Sequence, residues 1–504
     1  PHVAPVAAAD ADPFSHPDAQ RRFRLLTDVA ELERALDYPW EKWTVFLHPA
    51  QQQYVERDYN GPARISGSAG TGKTIVALHR AVFLAKRNPA ANVLLTTFST
   101  PLANTLEVKL DRLAGNSTDL RRRIRVKAIT DIGLELYEAA FGAPKLATDT
   151  QVRSLLADAS AAAGSHGFSQ SFLYGEWTSV VDAWQLRTWE AYRDVQRLGR
   201  KTRIGGKQRE QLWSIFERVL RGLDESGAIT WSGLFAKLVE HLQSTDDRPF
   251  DFAVVDEAQD IGIAELRFLA TLGTKHPASL FFAGDLGQRI FQQPFSWKSL
   301  GVDVRGRSHT LRINYRTSHQ IRAQADKLLP TAISDVDGIE DSRRGTQSVF
   351  NGLPPEIRVF DDQEEETEAV AGWMKDRMKE GIQPHEIGIF VRTEDQLDRP
   401  RSAVQIAGAE TAELSDTVDT EPGHVAVGTM HLAKGLEFRA VVVMACDDEV
   451  LPLQERIETV TDDSDLDEVY NTERHLLYVA CTRARDRLFV TGVDPASEFL
   501  DDMA

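Results

Sequence analysis

Starting at Ala63, short apolar runs alternate with longer stretches whose apolar positions return at helical spacing. ARIS (63–66) predicts a buried strand, GSAGTGKT (67–74) a glycine-rich turn, IVALHRAVFLAKR (75–87) an amphipathic helix and VLLTTF (93–98) another strand. Strand and helix in alternation predict a parallel sheet covered on both faces. Residues 31–59, ahead of it, read as amphipathic helical material. Residues 140–245 break the alternation, because LRTWEAYRDVQRL and QREQLWSIFERVLRGLDESG carry helical periodicity without a strong strand, and so predict a helical insertion. The sheet pattern resumes with FAVVDEAQ, a helix over LRFLATLG and a strand at SLFFAGD (279–285).

A second α/β unit is predicted from residue 300, with strands HTLRIN, PEIRVF, IGIFVRT, HVAVGTM, AVVVMA and RLFVTG. Its helices are expected over Gln320–Leu328, Glu364–Lys379 and Glu473–Arg485. The expected order is a linker over 1–16, a helical lead-in and the start of the first unit over 17–139, and the insertion over 140–245; the remainder of the first unit follows over 246–299 and the second unit over 300–504.

Size and composition narrow the class. A chain of 504 residues, 42% hydrophobic, is too large for one core and too apolar for a disordered scaffold. Its two cysteines, Cys446 and Cys481, are too few for a disulfide framework or a four-ligand zinc site, which points to a reducing interior. The opening PHVAPVAAADADPF lacks a basic region and a long apolar run, and reads as a linker trimmed from a longer chain. A cytoplasmic protein without a membrane span is expected. The net charge of -18 weighs mildly against a nucleic-acid partner. The acids clump, however: Asp361–Glu368 holds six and Glu455–Glu468 seven against one arginine, so local distribution decides.

The clearest chemistry lies in Gly67-Ser-Ala-Gly70-Thr-Gly72-Lys73-Thr74, a full GxxxxGK[ST] pattern between a predicted strand and a predicted helix. Backbone N–H groups of such a turn point at phosphates, and the helix N-terminus adds positive potential. Lys73 is expected at the β and γ phosphates and the Thr74 hydroxyl on Mg²⁺. Asp256 and Glu257 end the buried strand AVV; Asp256 is assigned to the metal and Glu257 to the attacking water. An exposed acidic strand end is the plainer alternative for this pair alone. ATP and Mg²⁺ are therefore the expected cofactors.

Further motifs resemble the Rep/UvrD-like superfamily 1A helicases, over Leu47 to about Gly492. That resemblance implies an α/β fold of two RecA-like parallel-sheet P-loop domains with a helical insertion in the first, closing around ATP. LHPAQQQYV is similar to the adenine-recognising segment and gives Gln51 that role; TTFSTPLA is similar to a strand-contacting motif and gives Phe98 a place on nucleic acid. AGDLGQRIF makes Gln288 the γ-phosphate sensor, and LRINYRTS makes Tyr315 the adenine-stacking ring and Arg316 an arginine finger. GTMHLAKGLEF is similar to the segment coupling nucleotide and strand, with His431 toward nucleic acid and Gly435 and Glu437 at its centre; YVACTRARDRL makes Arg483 the second finger. Taken singly, each arginine reads equally as a surface ion pair.

Several positions depart from that pattern. Ile75 stands where an arginine usually covers the other adenine face, leaving Arg80 as a substitute candidate. VKAITDIG matches its motif poorly, and Phe295 or Trp297 is expected to stack on a base, against the alternative of a local core plug. Only a short segment separates Thr393 from Gly423, so a reduced or absent second accessory domain is expected. The basic run at 197–209, near Trp184, Trp189 and Trp213, reads either as a phosphate-contacting patch or as a charged loop over core tryptophans. His79, His431 and His475 are too scattered for a metal cluster.

The leading expectation is an ATP-dependent 3'–5' single-stranded DNA translocase or helicase, its polarity implied by the resemblance alone. One alternative is a nucleic-acid-stimulated ATPase remodelling a complex such as RNA polymerase, through a recruiting protein partner; another is a motor-like subunit of a DNA repair or immunity complex. Single-stranded DNA is the expected partner, and RNA stays open.

Overall fold

The computed structural model describes residues 47–503 apart from 116, 198–203, 246–247, 274–275, 286–294, 350, 416–421 and 459–462. The expected linker and the lead-in up to residue 46 lie outside the described residues. Among the described residues, no helix is long and apolar enough to cross a membrane.

The first lobe opens with α1 (Pro49–Glu56). Proline occupies its first turn, where no N–H is needed, and His48 and Gln51 close a reciprocal cap at its start. Six strands follow, all parallel, in the order β3-β2-β4-β5-β1-β6. They are β1 (Ala63–Ser66), β2 (Val93–Thr97), β3 (Ile124–Ala128), β4 (Phe252–Val255), β5 (Leu280–Ala283) and β6 (Ser308–Thr310). β1, β2, β4 and β5 are buried at every residue, as continuous apolar runs require when helices cover both faces. Covering helices include α2 (Lys73–Arg87), α3 (Thr100–Ala114) and α4 (Ile129–Phe141).

The helical insertion has its own core. α5 (Asp149–Ala163), α6 (Gln170–Glu176), a π-helical turn at Trp177–Asp182 and α7 (Gly206–Ser226) enclose Trp177, Tyr192 and Phe216. Fully buried Glu176 accepts two bonds from Arg197 (2.8 and 2.6 Å) and one from the Tyr192 hydroxyl (3.1 Å), so the basic run begins inside the protein. Trp213 stacks on Tyr192 and Arg267 lies over Trp184, which makes both tryptophans packing elements. By packing, the insertion ends near Ile229, which bridges back to Leu146, and not at 245. The next helix, α8 (Trp231–Thr245), sends Leu234, Phe235, Leu238 and Leu242 into the first lobe's core beside Phe268 of α9 (Ile263–Leu272).

HTLRIN divides. Ser308–Thr310 joins the first sheet beside β1, and the chain passes to the second lobe only at β7 (Ile313–Asn314), so the boundary lies after Thr310 and not at 300. The second lobe continues with α10 (His319–Ala325), the antiparallel pair β8 (Ala332–Ser334) and β9 (Glu340–Ser342), and β10 (Gln347–Ser348) beside β7. Its main sheet is again parallel and six-stranded, ordered β11-β16-β15-β12-β14-β13. The elements in chain order are β11 (Glu356–Phe360), α11 (Gln363–Lys379), β12 (Ile387–Val391), α12 (Asp398–Ala407), β13 (Glu410–Glu413), β14 (His424–Thr429), β15 (Phe438–Val443), α13 (Asp463–Cys481), β16 (Ala484–Val493) and α14 (Glu498–Met503). The helix expected over Glu473–Arg485 stops at Cys481, because Ala484 already pairs with Phe438 of β15.

The first acidic clump serves this lobe. Asp362 caps α11 by accepting from Glu364 and Glu365 N–H, and acids fill the first turn, where the helix dipole favours them. Fully buried Glu366 accepts from Ala445 N–H, Thr491 and Arg399. Between β12 and β14 the described residues include α12 and β13.

The lobes meet over buried groups of both signs. Arg64 of β1 binds Asp341 (2.6 Å) and lies 3.5 Å from Asp335, which straps the β8–β9 hairpin onto the first lobe. The Asn314 amide donates to Ala69 O at 2.7 Å. Gly435, at φ +80, leaves no room for a Cβ because the Leu102 side chain of α3 fills that space. Gly435→Ala is expected to separate the lobes, raising the radius of gyration in solution scattering, and Leu102→Ala in the same chain is expected to reverse part of that increase.

Candidate active site

The phosphate loop leaves the C-terminal end of β1, where its backbone must turn sharply. Gly67, Gly70 and Gly72 all have positive φ, and a Cβ on Gly72 would lie 2.6 Å from the Gln51 amide. Lys73 opens α2 with its ammonium turned into the loop, donating to Gly67 O (2.8 Å) and Ser68 O (3.2 Å), 4.0 Å from Asp285. Burial lowers its pKa, and the charges of Asp285 and Glu257 work against that shift.

Opposite the loop, β4 ends in Asp256 and Glu257. The Thr74 hydroxyl hydrogen-bonds to Asp256, whose pKa is pushed up to about 7 by burial and by the Glu257 charge. Burial works to raise the Glu257 pKa as well, but Lys434 and Lys73 outweigh it and hold this carboxyl below its usual range. Glu257 has φ +51, a left-handed conformation costly for a residue with a side chain. Its carboxylate accepts from Gln259 Nε2 (2.5 Å), and the Gln259 carbonyl accepts from Asp285 N–H (2.9 Å). Gln259 thereby fixes the two acids relative to each other.

The second lobe supplies the opposite wall. Arg316 pairs with Glu437 at 2.8 Å and donates to Thr482 O at 3.4 Å; Arg483 donates to Val479 O at 2.9 Å. Burial and the neighbouring Arg316 bring the Arg483 pKa to about 10, which leaves it charged at neutral pH. Burial opposes ionisation of Glu437, but Arg316 and Lys109 outweigh it. Tyr315 donates its backbone N–H to Gly70 O at 2.9 Å, and its ring lies 5.1 Å from His48.

One cleft is thus lined by Gln51, Gly70, Gly72, Lys73, Thr74, Ile75, Asp256, Glu257, Tyr315, Arg316, Glu437 and Arg483, from both lobes. The glycine cradle with Lys73 and two further guanidinium groups suits a polyphosphate. The hydroxyl and carboxylate oxygens of Thr74 and Asp256 are hard donors that suit Mg²⁺. Gln288 lies outside the described residues.

Four residues take part that the motifs alone did not single out. The Lys434 ammonium is buried against Asp260 and lies 3.9 Å from Glu257. Asp285 lies 3.7 Å from Arg343 of the second lobe, and Gln259 joins it to Glu257. Gln259, Asp285 and Lys434 fall inside quoted motifs and Asp260 directly follows one, so position within or beside the motif was the available signal.

Of the residues expected on nucleic acid, Phe98, Phe295 and Trp297 all pack against the first lobe's core. Phe98 packs against the first core with Lys434 over its ring at 5.3 Å. The half-buried Trp297 ring packs on Phe282 at 4.8 Å beside half-buried Phe295, the packing that the core-plug alternative expects. His431 stands near Arg392 and Glu473, and burial and Arg392 lower its pKa to about 4. Arg80 is corrected: its guanidinium donates to Val55 O (2.6 Å) and Arg57 O (2.9 Å) among Tyr59, Phe83 and Phe281, away from the cleft. Among the described residues, no group of histidines, cysteines and acids is arranged to hold a metal by itself.

Comparison with known proteins agrees with this geometry. The UvrD/REP helicase N-terminal domain matches residues 47–294, and the UvrD-like helicase C-terminal domain matches residues 406–494. The chain is 36% identical over 105 residues to ATP-dependent DNA helicase UvrD1 of Mycobacterium leprae, covering 20% of this chain and 13% of that protein. It is 25% identical over 260 residues to a protein of Mycoplasma pneumoniae named probable DNA helicase (49% of this chain, 44% of that one). Against ATP-dependent DNA helicase PcrA of Staphylococcus epidermidis the identity is 41% over 77 residues, 15% of this chain and 10% of that one. The chain therefore spans less than half the length of each of these relatives. With one matched domain carrying the phosphate loop and the other carrying Glu437 and Arg483, this chain belongs to the UvrD-like helicases of the Rep/UvrD/PcrA kind, with two RecA-like lobes.

Proposed function

We propose that this chain hydrolyses ATP to drive 3'–5' movement along single-stranded DNA. The observation that carries the reading is the shared cleft, in which Lys73, Asp256 and Glu257 of the first lobe face Arg316 and Arg483 of the second. DNA as the partner is supported by the names of the relatives, and the single strand and the direction of movement rest on family resemblance.

In this reading Glu257, held by Gln259 and Lys434, accepts a proton from the water whose oxygen attacks the γ-phosphorus. The bond from that phosphorus to the ADP oxygen breaks, and phosphate leaves. Lys73 exchanges its loop carbonyls for β and γ oxygens. Arg316 and Arg483 neutralise charge on the transferring group, so turnover requires the second lobe to be in place. Thr74 and Asp256 would hold Mg²⁺, which would supply positive charge to the phosphates. Tyr315 and Gln51 sit at the base end of the cleft. Because the arginines arrive with the second lobe, each turnover is tied to closing and reopening, and that motion moves DNA held across both lobes.

Glu257→Gln is expected to bind ATP normally while turnover falls about 100-fold or more, as read by equilibrium binding beside steady-state phosphate release. Arg316→Ala and Arg483→Ala are each expected to lower turnover about 1,000-fold with a much smaller change in affinity. Normal hydrolysis in both would remove the two-lobe mechanism. Single-stranded DNA is expected to stimulate hydrolysis more strongly than duplex DNA or RNA, and the motor is expected to displace a roadblock from a 5' end. Hydrolysis indifferent to every nucleic acid but raised by a protein partner would instead favour a remodelling ATPase.

A further inference from the structure

At the base end of the cleft, both ends of the Gln51 amide already have protein partners. Its Nε2 donates to Thr71 O (2.9 Å) and its Oε1 accepts from His48 N–H (3.1 Å). His48 lines the same cleft and is 3% exposed. Its Nδ1 accepts from Ala50 N–H at 3.1 Å, so a neutral ring carries its proton on Nε2. That Nε2 is buried without a hydrogen-bond partner, as is the hydroxyl of Tyr315, whose ring is 5.1 Å away at a 38° tilt. A buried polar group left unanswered is destabilising, so two on adjoining rings in one cleft point to a ligand that answers them. The rings are too close together to admit a base between them, which leaves the edge of His48 as its recognising surface.

We propose that His48 is a base-selecting residue, whose Nε2–H donates to a ring nitrogen of a purine nucleotide lying against Tyr315. This rests on the ATP reading above and adds the group that reads the base. Burial lowers the His48 pKa to about 4, which keeps the ring neutral and its tautomer fixed across the physiological range. Replacing one purine ring nitrogen by C–H would delete the acceptor that His48 addresses.

The test is equilibrium binding of ATP and of its 1-deaza, 3-deaza and 7-deaza analogues to the full chain and to His48→Asn. Asparagine is a strong helix cap and keeps an acceptor for Ala50 N–H, so α1 stays capped while the Nε2 donor is lost. The wild-type chain is expected to bind one analogue about 3- to 10-fold more weakly than ATP, and His48→Asn to bind ATP and that analogue alike. Equal affinity of the wild-type chain for ATP and all three analogues overturns the proposal, and so does a penalty that His48→Asn retains in full. If His48→Asn fails to fold, judged by thermal unfolding, His48→Gln takes its place in the same series, with the same outcomes for and against. A chain that binds no nucleotide fails the ATP reading and this inference together. A chain that hydrolyses ATP but ignores the deaza series fails this inference alone.

Discussion

The Lys434 ammonium belongs to the second lobe but is buried in the acidic end of the first, against Asp260 and 3.9 Å from Glu257. Removing one partner of a buried pair leaves an uncompensated charge and typically costs about 3–5 kcal/mol. The contact between lobes is therefore made beside the Glu257 carboxylate, the group to which the proposed mechanism gives the attacking water. Any rearrangement of the lobes has to re-solvate or re-pair Lys434, and the electrostatics of Glu257 change with it. The Asn314 bond to Ala69 and the meeting of Gly435 with Leu102 lie along the same interface, so the phosphate loop, the acidic strand end and the second lobe share one set of contacts.

Around that pair, three cations of the cleft already have partners. Lys73 donates to loop carbonyls, Arg316 to Glu437 and Arg483 to Val479 O. Binding a polyphosphate is then an exchange of partners within a site whose cations are already desolvated. Much of the cost of burying them is met on folding, and the fixed dipoles stand ready where charge develops. The strained backbone of Glu257 and its bond to Gln259 belong to the same arrangement, since both hold a carboxylate in place without a flexible support.

The two additions to the paired lobes differ in character. The insertion is a separate helical core reached through the Leu146–Ile229 bridge, with its tryptophans turned inward and Arg197 spent on Glu176. The β8–β9 hairpin is chemically part of the first lobe, although it follows the boundary in sequence, because Arg64 holds its acids and Arg343 reaches Asp285. In the second lobe, α12 and β13 lie between β12 and β14.

The central strands of both sheets were legible because a strand buried on both faces is mostly apolar, as in AVV and IGIF, whereas the edge strands β3 and β13 were not expected. Glycines at positive φ and a lysine opening a helix are likewise local demands, so the phosphate loop and the acids after β4 could be read directly. The sequence by itself determined the lobe architecture, the helical character of the insertion, and the identities of Lys73, Asp256, Glu257, Arg316 and Arg483. Only tertiary structure decided that Ser308–Thr310 completes the first sheet, that α8 leaves the insertion for the first core, and that Trp297 fills a gap beside Phe282. It also decided that Lys434 and Arg343 cross between lobes and that His48 keeps an unanswered donor in the cleft. Those outcomes depend on which distant side chain occupies a neighbouring volume and which charge lies opposite, and no local pattern of apolar and polar residues encodes either.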